Sequence, residues 1–207
     1  MPPTTRAKLL HSALHVSIAS AGWTLTASSA AIVIGLSRAS LALVAFGVVG
    51  ILDCAASVAL VAHFLDVRSG GTAERLERLA LRMVVVGLAT VGIVTAVVSG
   101  VHLLEHVTAG SSSASVILAG ASLVALSALS LRKHHVAVRL PSHALMADSR
   151  LSAVGAILAA VTLGGTASNS LGWWWADPAA AFVIAIGALG LGVALRREPA
   201  PSTPPRV

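Results

Sequence analysis

Asp53 stands near the middle of an apolar run from Leu41 to His63, with no Lys or Arg inside that run to neutralise it. A carboxylate at such a depth in hydrocarbon is expensive, so intramembrane Asp side chains are protonated, paired, or part of an ion path. A protonated Asp53 hydrogen-bonded to a neighbouring helix is one reading. A carboxylate that binds a cation or proton in transit is the other. Ser57 lies four residues on, on the same helix face, and offers a second oxygen ligand. Cys54 is adjacent but about 100° around the helix, so it reads as packed rather than as a co-ligand.

Other groups with ligand chemistry cluster near the ends of the apolar runs. Asp148 and Arg150, with His143 just before them, stand at the mouth of a later run and form either a helix cap with an interfacial Arg or a cation entry site. His102, Glu105 and His106 have helical spacing, which predicts that they share one face. As a string, His-x-x-Glu-His matches a zinc-peptidase pattern. With no third ligand or soluble cleft in the sequence, the cluster reads instead as a peripheral metal-collecting site or a solvated interfacial group. His63 with Asp66, His11 with His15, and the pair His134-His135 add imidazoles near the membrane faces, where they suit divalent metal. The sequence has no Gly-rich phosphate loop, catalytic triad or Cys cluster. It therefore predicts neither an enzyme nor a tightly bound cofactor.

The elements that must position these groups are transmembrane helices. Of 207 residues, 56% are hydrophobic and 11% charged, against roughly a quarter charged in soluble domains. Tyr is absent and aromatics are 3%, so Ala, Val, Leu and Gly fill the interior, as in closely packed helices rather than a β-barrel. A span needs about 20 apolar residues. Six segments qualify: His15–Leu36, Leu41–His63, Leu79–Val101, Ser115–Leu131, Leu151–Thr166 and Pro178–Leu195, the fourth and fifth short enough to extend into their polar flanks. The expected fold is an all-α six-helix membrane bundle: residues 1–12 an N-terminal cytoplasmic segment, 13–197 the transmembrane domain, 198–207 a disordered Pro-rich tail. The first apolar run lacks a cleavage signature and reads as a retained helix.

Orientation follows from Lys and Arg. Thirteen of them flank one side of the predicted spans and only Arg38 the other, which predicts both termini in the cytoplasm. The same placement makes the net charge of +6 a topology signal and not a nucleic-acid-binding one. Thr72 is a predicted cap for the third helix, with Glu74 and Arg78 paired in its first turns. Asp177-Pro178 predicts the start of the sixth, as N-cap and first helical residue, preceded by Trp173, Trp174 and Trp175 in an aromatic belt. Small pairs four apart (Ala121 and Ala125, Ala181 and Ala185, Ala188 and Gly192) predict close helix approach.

Ser40-Leu-Ala-Leu-Val-Ala-Phe-Gly-Val-Val-Gly-Ile-Leu-Asp53 resembles the second transmembrane helix of the cation diffusion facilitator (cation efflux) family. Gly172-Trp-Trp-Trp-Ala-Asp-Pro178 resembles the start of its sixth, and Ser142-His-Ala-Leu-Met-Ala-Asp148 looks like the entry to its fifth. With Asn169, the tryptophan run looks closest to a short branch without the C-terminal cytoplasmic domain. The resemblance implies a membrane exporter of zinc or related divalent cations, commonly proton-coupled and commonly homodimeric; without a cytoplasmic domain, any dimer would form through membrane helices. It also implies four ligand positions, two on the second helix and two on the fifth, suited to tetrahedral zinc. In this chain they fall at Val49, Asp53, Leu151 and Gly155, so one of four carries a donor. The expectation is a divalent-cation transporter of the plasma membrane with a reduced ligand set. The alternative is a transport-inactive protein of the same fold, serving as subunit, partner or metal sensor.

Overall fold

The computed structural model describes residues 3–66, 72–110, 112–139 and 143–197. Six helices account for nearly all of them: α1 (Pro3–Arg38), α2 (Leu41–Asp66), α3 (Thr72–Leu104), α4 (Ser113–Arg139), α5 (His143–Ser170) and α6 (Ala176–Arg197). Among the described residues there is no strand. Five of the six carry a window long and apolar enough to cross a membrane, and α2 carries a shorter apolar stretch, Leu41–Ala55.

The surface chemistry is that of a protein solvated by lipid. Val33, Val124 and Ile157 are 68%, 71% and 62% exposed, whereas Ser20, Thr24, Ser28, Ser122, Thr162 and Thr166 are buried. Hydrocarbon offers no hydrogen bonds, so hydroxyls turn inward or bond back along their own helix. Thr162 Oγ1 donates to the Leu158 carbonyl and Thr166 Oγ1 to the Thr162 carbonyl, each at 2.9 Å. The core itself is built from small and aliphatic residues, with Leu43, Leu88 and Ile184 fully enclosed.

Three helix pairs dominate the packing, α1 with α2, α3 with α6 and α4 with α5, and α2 also touches α3, α5 and α6. Small residues set the closest approaches. A Cβ at Gly47 would lie 2.7 Å from the Ser28 carbonyl oxygen, so α1 and α2 can pack this closely only with glycine there. The predicted stripe on α6 is buried, with Ala181, Ala185 and Ala188 at 1% exposure or less. On α4 the buried stripe is Ser115, Ala119, Ser122 and Leu126, not the predicted pair Ala121 and Ala125, which are half-buried.

The helices run past their apolar stretches. Consequently Lys133, His134 and His135, expected in a loop, lie on α4, and Asp148 lies within α5 rather than at its start. The α4–α5 contact explains the extension. Ser130 Oγ donates to the Ser149 carbonyl at 3.0 Å, Ser149 Oγ to the Ser130 carbonyl at 3.2 Å, and the buried Lys133 Nζ to Ser152 Oγ at 2.9 Å. The Pro-rich tail and the side chains of Thr72, Glu74, Arg78, His63, Asp66, His11 and His143 lie outside the described residues.

At the end of the bundle where α1, α3 and α5 finish, each stops in the same way. Ser40 N–H donates to the Gly35 carbonyl (2.9 Å), Val107 N–H to the His102 carbonyl (3.0 Å) and Trp173 N–H to the Ser168 carbonyl (3.1 Å). The residue before each donor is left-handed: Ala39 (φ 51°), His106 (φ 55°) and Gly172 (φ 93°). These are three Schellman closures, only one of them with the glycine that suits the position. A side chain there costs about 1–2 kcal/mol. Since nothing lies within 4 Å of a Cβ at Gly172, Gly172→Ala should lower stability by about 1 kcal/mol through backbone strain alone. Ala39→Gly should raise it by roughly 0.5–1 kcal/mol. Thermal unfolding of the purified protein in detergent measures both, and opposite signs are expected; a Gly172→Ala protein as stable as wild type would refute the strain argument.

Candidate functional site

Two polar constellations are built into the bundle, one at the closed end and one at mid-depth. The first centres on Asp177, which is 1% exposed. Ser40 is the N-cap of α2: its carbonyl accepts the Val44 N–H at 3.2 Å, and its Oγ accepts the Leu43 N–H at 3.3 Å. Ser40 Oγ in turn donates to Asp177 Oδ1 at 2.5 Å. Asp177 Oδ2 accepts the N–H groups of Leu41 at 2.8 Å and Ala42 at 3.4 Å. The three first amides of α2, which have no partner within their own helix, are thereby all satisfied. Two helix N-termini, those of α2 and α6, converge on this one carboxylate, and their dipoles favour its charge.

This corrects the expected role of Asp177. The carbonyl of Trp175 accepts the Ala179 N–H at 3.0 Å, so Trp175 is the N-cap of α6 and Pro178 is its third helical residue. Proline is tolerated there because an amide in the first turn has no helical acceptor in any case. The Asp177 side chain instead caps a different helix, 136 residues away in sequence.

The loops around it are tied together. Gly110 N–H donates to the Arg38 carbonyl at 2.7 Å, and Asn169 Nδ2 to the Ala109 carbonyl at 3.1 Å. The His106 ring lies on Trp174 with centroids 4.4 Å apart, while Trp173 and Trp175 stack on each other at 5.8 Å and stay exposed, as a belt requires. The expected face of His102, Glu105 and His106 is not formed. α3 ends at Leu104, and the left-handed turn at His106 carries its ring off the helix and onto Trp174. His102 is half-buried and lies within electrostatic range of Asp177, whereas Glu105 and His106 are exposed. Among the described residues, no three His, Cys, Asp or Glu side chains come close enough to hold a metal ion.

The second constellation surrounds Asp53, which is half-buried on α2. Twelve residues separate it from Leu41, placing it about 18 Å below the closed end at 1.5 Å per residue, near the middle of a bilayer about 30 Å thick. It lines a cavity of about 30 Å³ between α1, α2 and α5, together with Val49, Leu151 and Gly155. All four positions that the family resemblance implies thus face one space, although they come from helices a hundred residues apart. From α1 the same space receives Thr24 and Ser28, which the sequence reading passed over. Their signal was the i,i+4 spacing of two hydroxyls on a buried face. Cys54 turns away, its Sγ donating to the Ala21 carbonyl at 3.7 Å. Ser57 and Asp148 are helical, on α2 and α5, but their side chains lie outside the described residues.

No family model matches this chain, and no curated protein matches it. The Asp177 cluster is saturated, every carboxylate oxygen being used on backbone or hydroxyl donors, which makes it a structural clamp. The Asp53 cavity has room for one or two waters or an ion of similar size.

Removal of the Asp177 carboxylate leaves the Leu41 and Ala42 amides and the Ser40 hydroxyl buried without this acceptor. Asp177→Ala should cost on the order of 3–5 kcal/mol, Asp177→Asn less because one acceptor oxygen remains, and Ser40→Ala about 1 kcal/mol. Unfolding measurements on the three variants should rank them in that order; an Asp177→Ala protein of wild-type stability would show that the clamp does not hold the bundle.

Proposed function

We propose that this chain is a multi-pass transporter of divalent metal cations, zinc or a related ion, in the cell membrane, working with a reduced ligand set. Asp53 is its cation-binding carboxylate. The observation that carries this reading is the cavity at mid-depth, where Val49, Asp53, Leu151 and Gly155 meet. Intramembrane carboxylates facing a cavity mark ion paths. With a single carboxylate, the site would hold its cargo weakly and release it readily. Coupling to an inward flow of protons or another cation fits an acidic group that two ions can occupy in turn. Asp148, in the second turn of α5, would stand on the route from the cytoplasm, with Ser57 one turn from Asp53. The His102, Glu105 and His106 group does not assemble, so a peripheral metal-collecting site there is not part of the proposal.

The proposed orientation has six spans and both termini in the cytoplasm, on the strength of the Lys and Arg bias. The Asp177 end is then external. A second reading, a transport-inactive protein of this fold acting as subunit, partner or metal sensor, is favoured by one fact: Val49, Leu151 and Gly155 offer no metal donor.

Flux of zinc, manganese and cobalt into proteoliposomes separates the two. Saturable flux by wild type that Asp53→Asn reduces by about a hundredfold or more is expected, since removal of a transport-site charge costs several kcal/mol of ion binding. No flux of any of the three ions through well-folded protein would favour the inactive reading. Orientation is tested separately in a Cys54→Ala background. An impermeant thiol reagent should label Ser113→Cys in intact cells and Arg139→Cys only after permeabilisation, and the reverse pattern would invert the topology.

A further inference from the structure

Between α3 and α4, residues 105–110 form a strap over the closed end, and it is fastened to three other elements. The Gly110 amide donates to the Arg38 carbonyl at the end of α1 (2.7 Å), and the Ala109 carbonyl accepts Asn169 Nδ2 from α5 (3.1 Å). The third fastening is the His106 ring on Trp174, in the turn before α6, with centroids 4.4 Å apart and planes tilted by 35°. The first two are neutral hydrogen bonds that no change of pH near neutrality alters. The third involves a group that titrates there. Trp174 is half-buried while Trp173 and Trp175 are exposed, so His106 covers the indole that is turned toward the protein. His106 itself is exposed and exchanges its proton with the surrounding solution. It also holds a left-handed backbone (φ 55°), which a side chain adopts only at a cost, and the bond from the Val107 amide to the His102 carbonyl depends on that turn. The strap therefore has a reason to leave its closed state whenever the ring contact weakens.

We propose that this strap is a pH-sensitive latch on the closed end, held shut by protonated His106 against the face of Trp174. An imidazolium over an indole gains an attraction that the neutral ring lacks. Imidazole is the side chain that ordinarily changes charge between pH 5 and 8. The closed strap is thus favoured in acid and loosens as the pH rises through that range. The other charged or titratable groups on the elements that meet here are His102 and Glu105 from the end of α3, Arg38 from α1 and Asp177 from α6. Among the described residues, the adjoining ends of α2, α4 and α5 bring none. Glu105 and Asp177 favour an imidazolium, Arg38 and a charged His102 oppose it, and the ring contact is left to set the sign. Once the ring lifts, nothing offsets the left-handed turn, and the fastenings at Ala109 and Gly110, three and four residues on, are free to follow. The latch makes no use of Asp53 or of any cargo. It rests on the proposed orientation in one respect only, that the pH it reads is the external one.

Hydrogen exchange at the Val107 and Gly110 amides tests this, on the purified full chain in detergent at about pH 5.5 and about pH 8. Dividing each rate by that of an unstructured peptide of the same sequence removes the intrinsic pH dependence of exchange. The wild-type strap should open about two- to fivefold more at the higher pH, the worth of one exposed cation–π contact. His106→Phe keeps an aromatic ring for Trp174 but carries no proton, and its strap should open equally at both pH values. Trp174→Leu keeps the imidazole but removes the face it sits on, and the pH dependence should vanish there too. Monodisperse elution and a cooperative unfolding transition establish that each variant is folded; if Trp174→Leu fails that control, His106→Phe carries the test. Wild-type opening that is the same at both pH values overturns the proposal, as does greater opening in acid. A pH dependence that survives in His106→Phe overturns it as well, since it then belongs to His102 or Asp177. None of these measurements involves transport, so absence of metal flux would remove the export reading and leave the latch in place.

Discussion

The clamp at Asp177 is the interaction on which the rest of this bundle depends. A membrane interior cannot tolerate bare amide groups, so each helix start that is turned inward needs acceptors from elsewhere in the protein. α2 begins only two residues after α1 ends, too soon for a loop to supply them. One carboxylate from α6 does so, with Ser40 as intermediary. That fixes the start of α2 against the start of α6, and hence the depth of every residue that follows on both. The register of Val49, Gly50 and Asp53 against α1 and α5 is inherited from this contact.

The same end is closed by three helix terminations of one type. Two of them place a side chain where glycine is the natural choice. At His106 the ring contact with Trp174 offsets the backbone cost; at Ala39 no comparable contact is evident. Closure of this end is reinforced by the loop-to-loop bonds of Gly110 and Asn169. Motion that exposes the Asp53 cavity would therefore have to carry α2 and α6 together. The α4–α5 pair has its own serine and lysine bonds and packs through α4 on α1 and through α5 on α2 and α6. The cavity lies on the seam between α1–α2 and that pair.

The six helices and their order were legible because hydropathy reports the thickness of the bilayer, and Asp53 was legible because a charge inside such a run is conspicuous. Helix ends were less so. Apolar runs mark where lipid begins and stop where it stops, but α4 and α5 continue into polar sequence, where interhelical bonds such as Lys133 to Ser152 support them. The fate of His-x-x-Glu-His could not be read from spacing, since it depends on a left-handed residue that is not glycine. Asp177 was recognised as a cap, and its proline neighbour argued for its own helix. The partner it serves lies across the bundle, where sequence separation gives no guide. Thr24 and Ser28 escaped notice for a related reason: Ser and Thr are common in membrane helices, and only packing shows which of them line a cavity.

Three of the four positions that meet at the mid-depth cavity, Val49, Leu151 and Gly155, carry no metal donor. A zinc site at such a depth needs several strong ligands, and each additional charge buried there has to be neutralised whenever the metal is absent. Val49, Leu151 and Gly155 carry no such cost. Gly50 sets the spacing beside them, since a Cβ there would collide with Ser28 Oγ and push α1 away from α2.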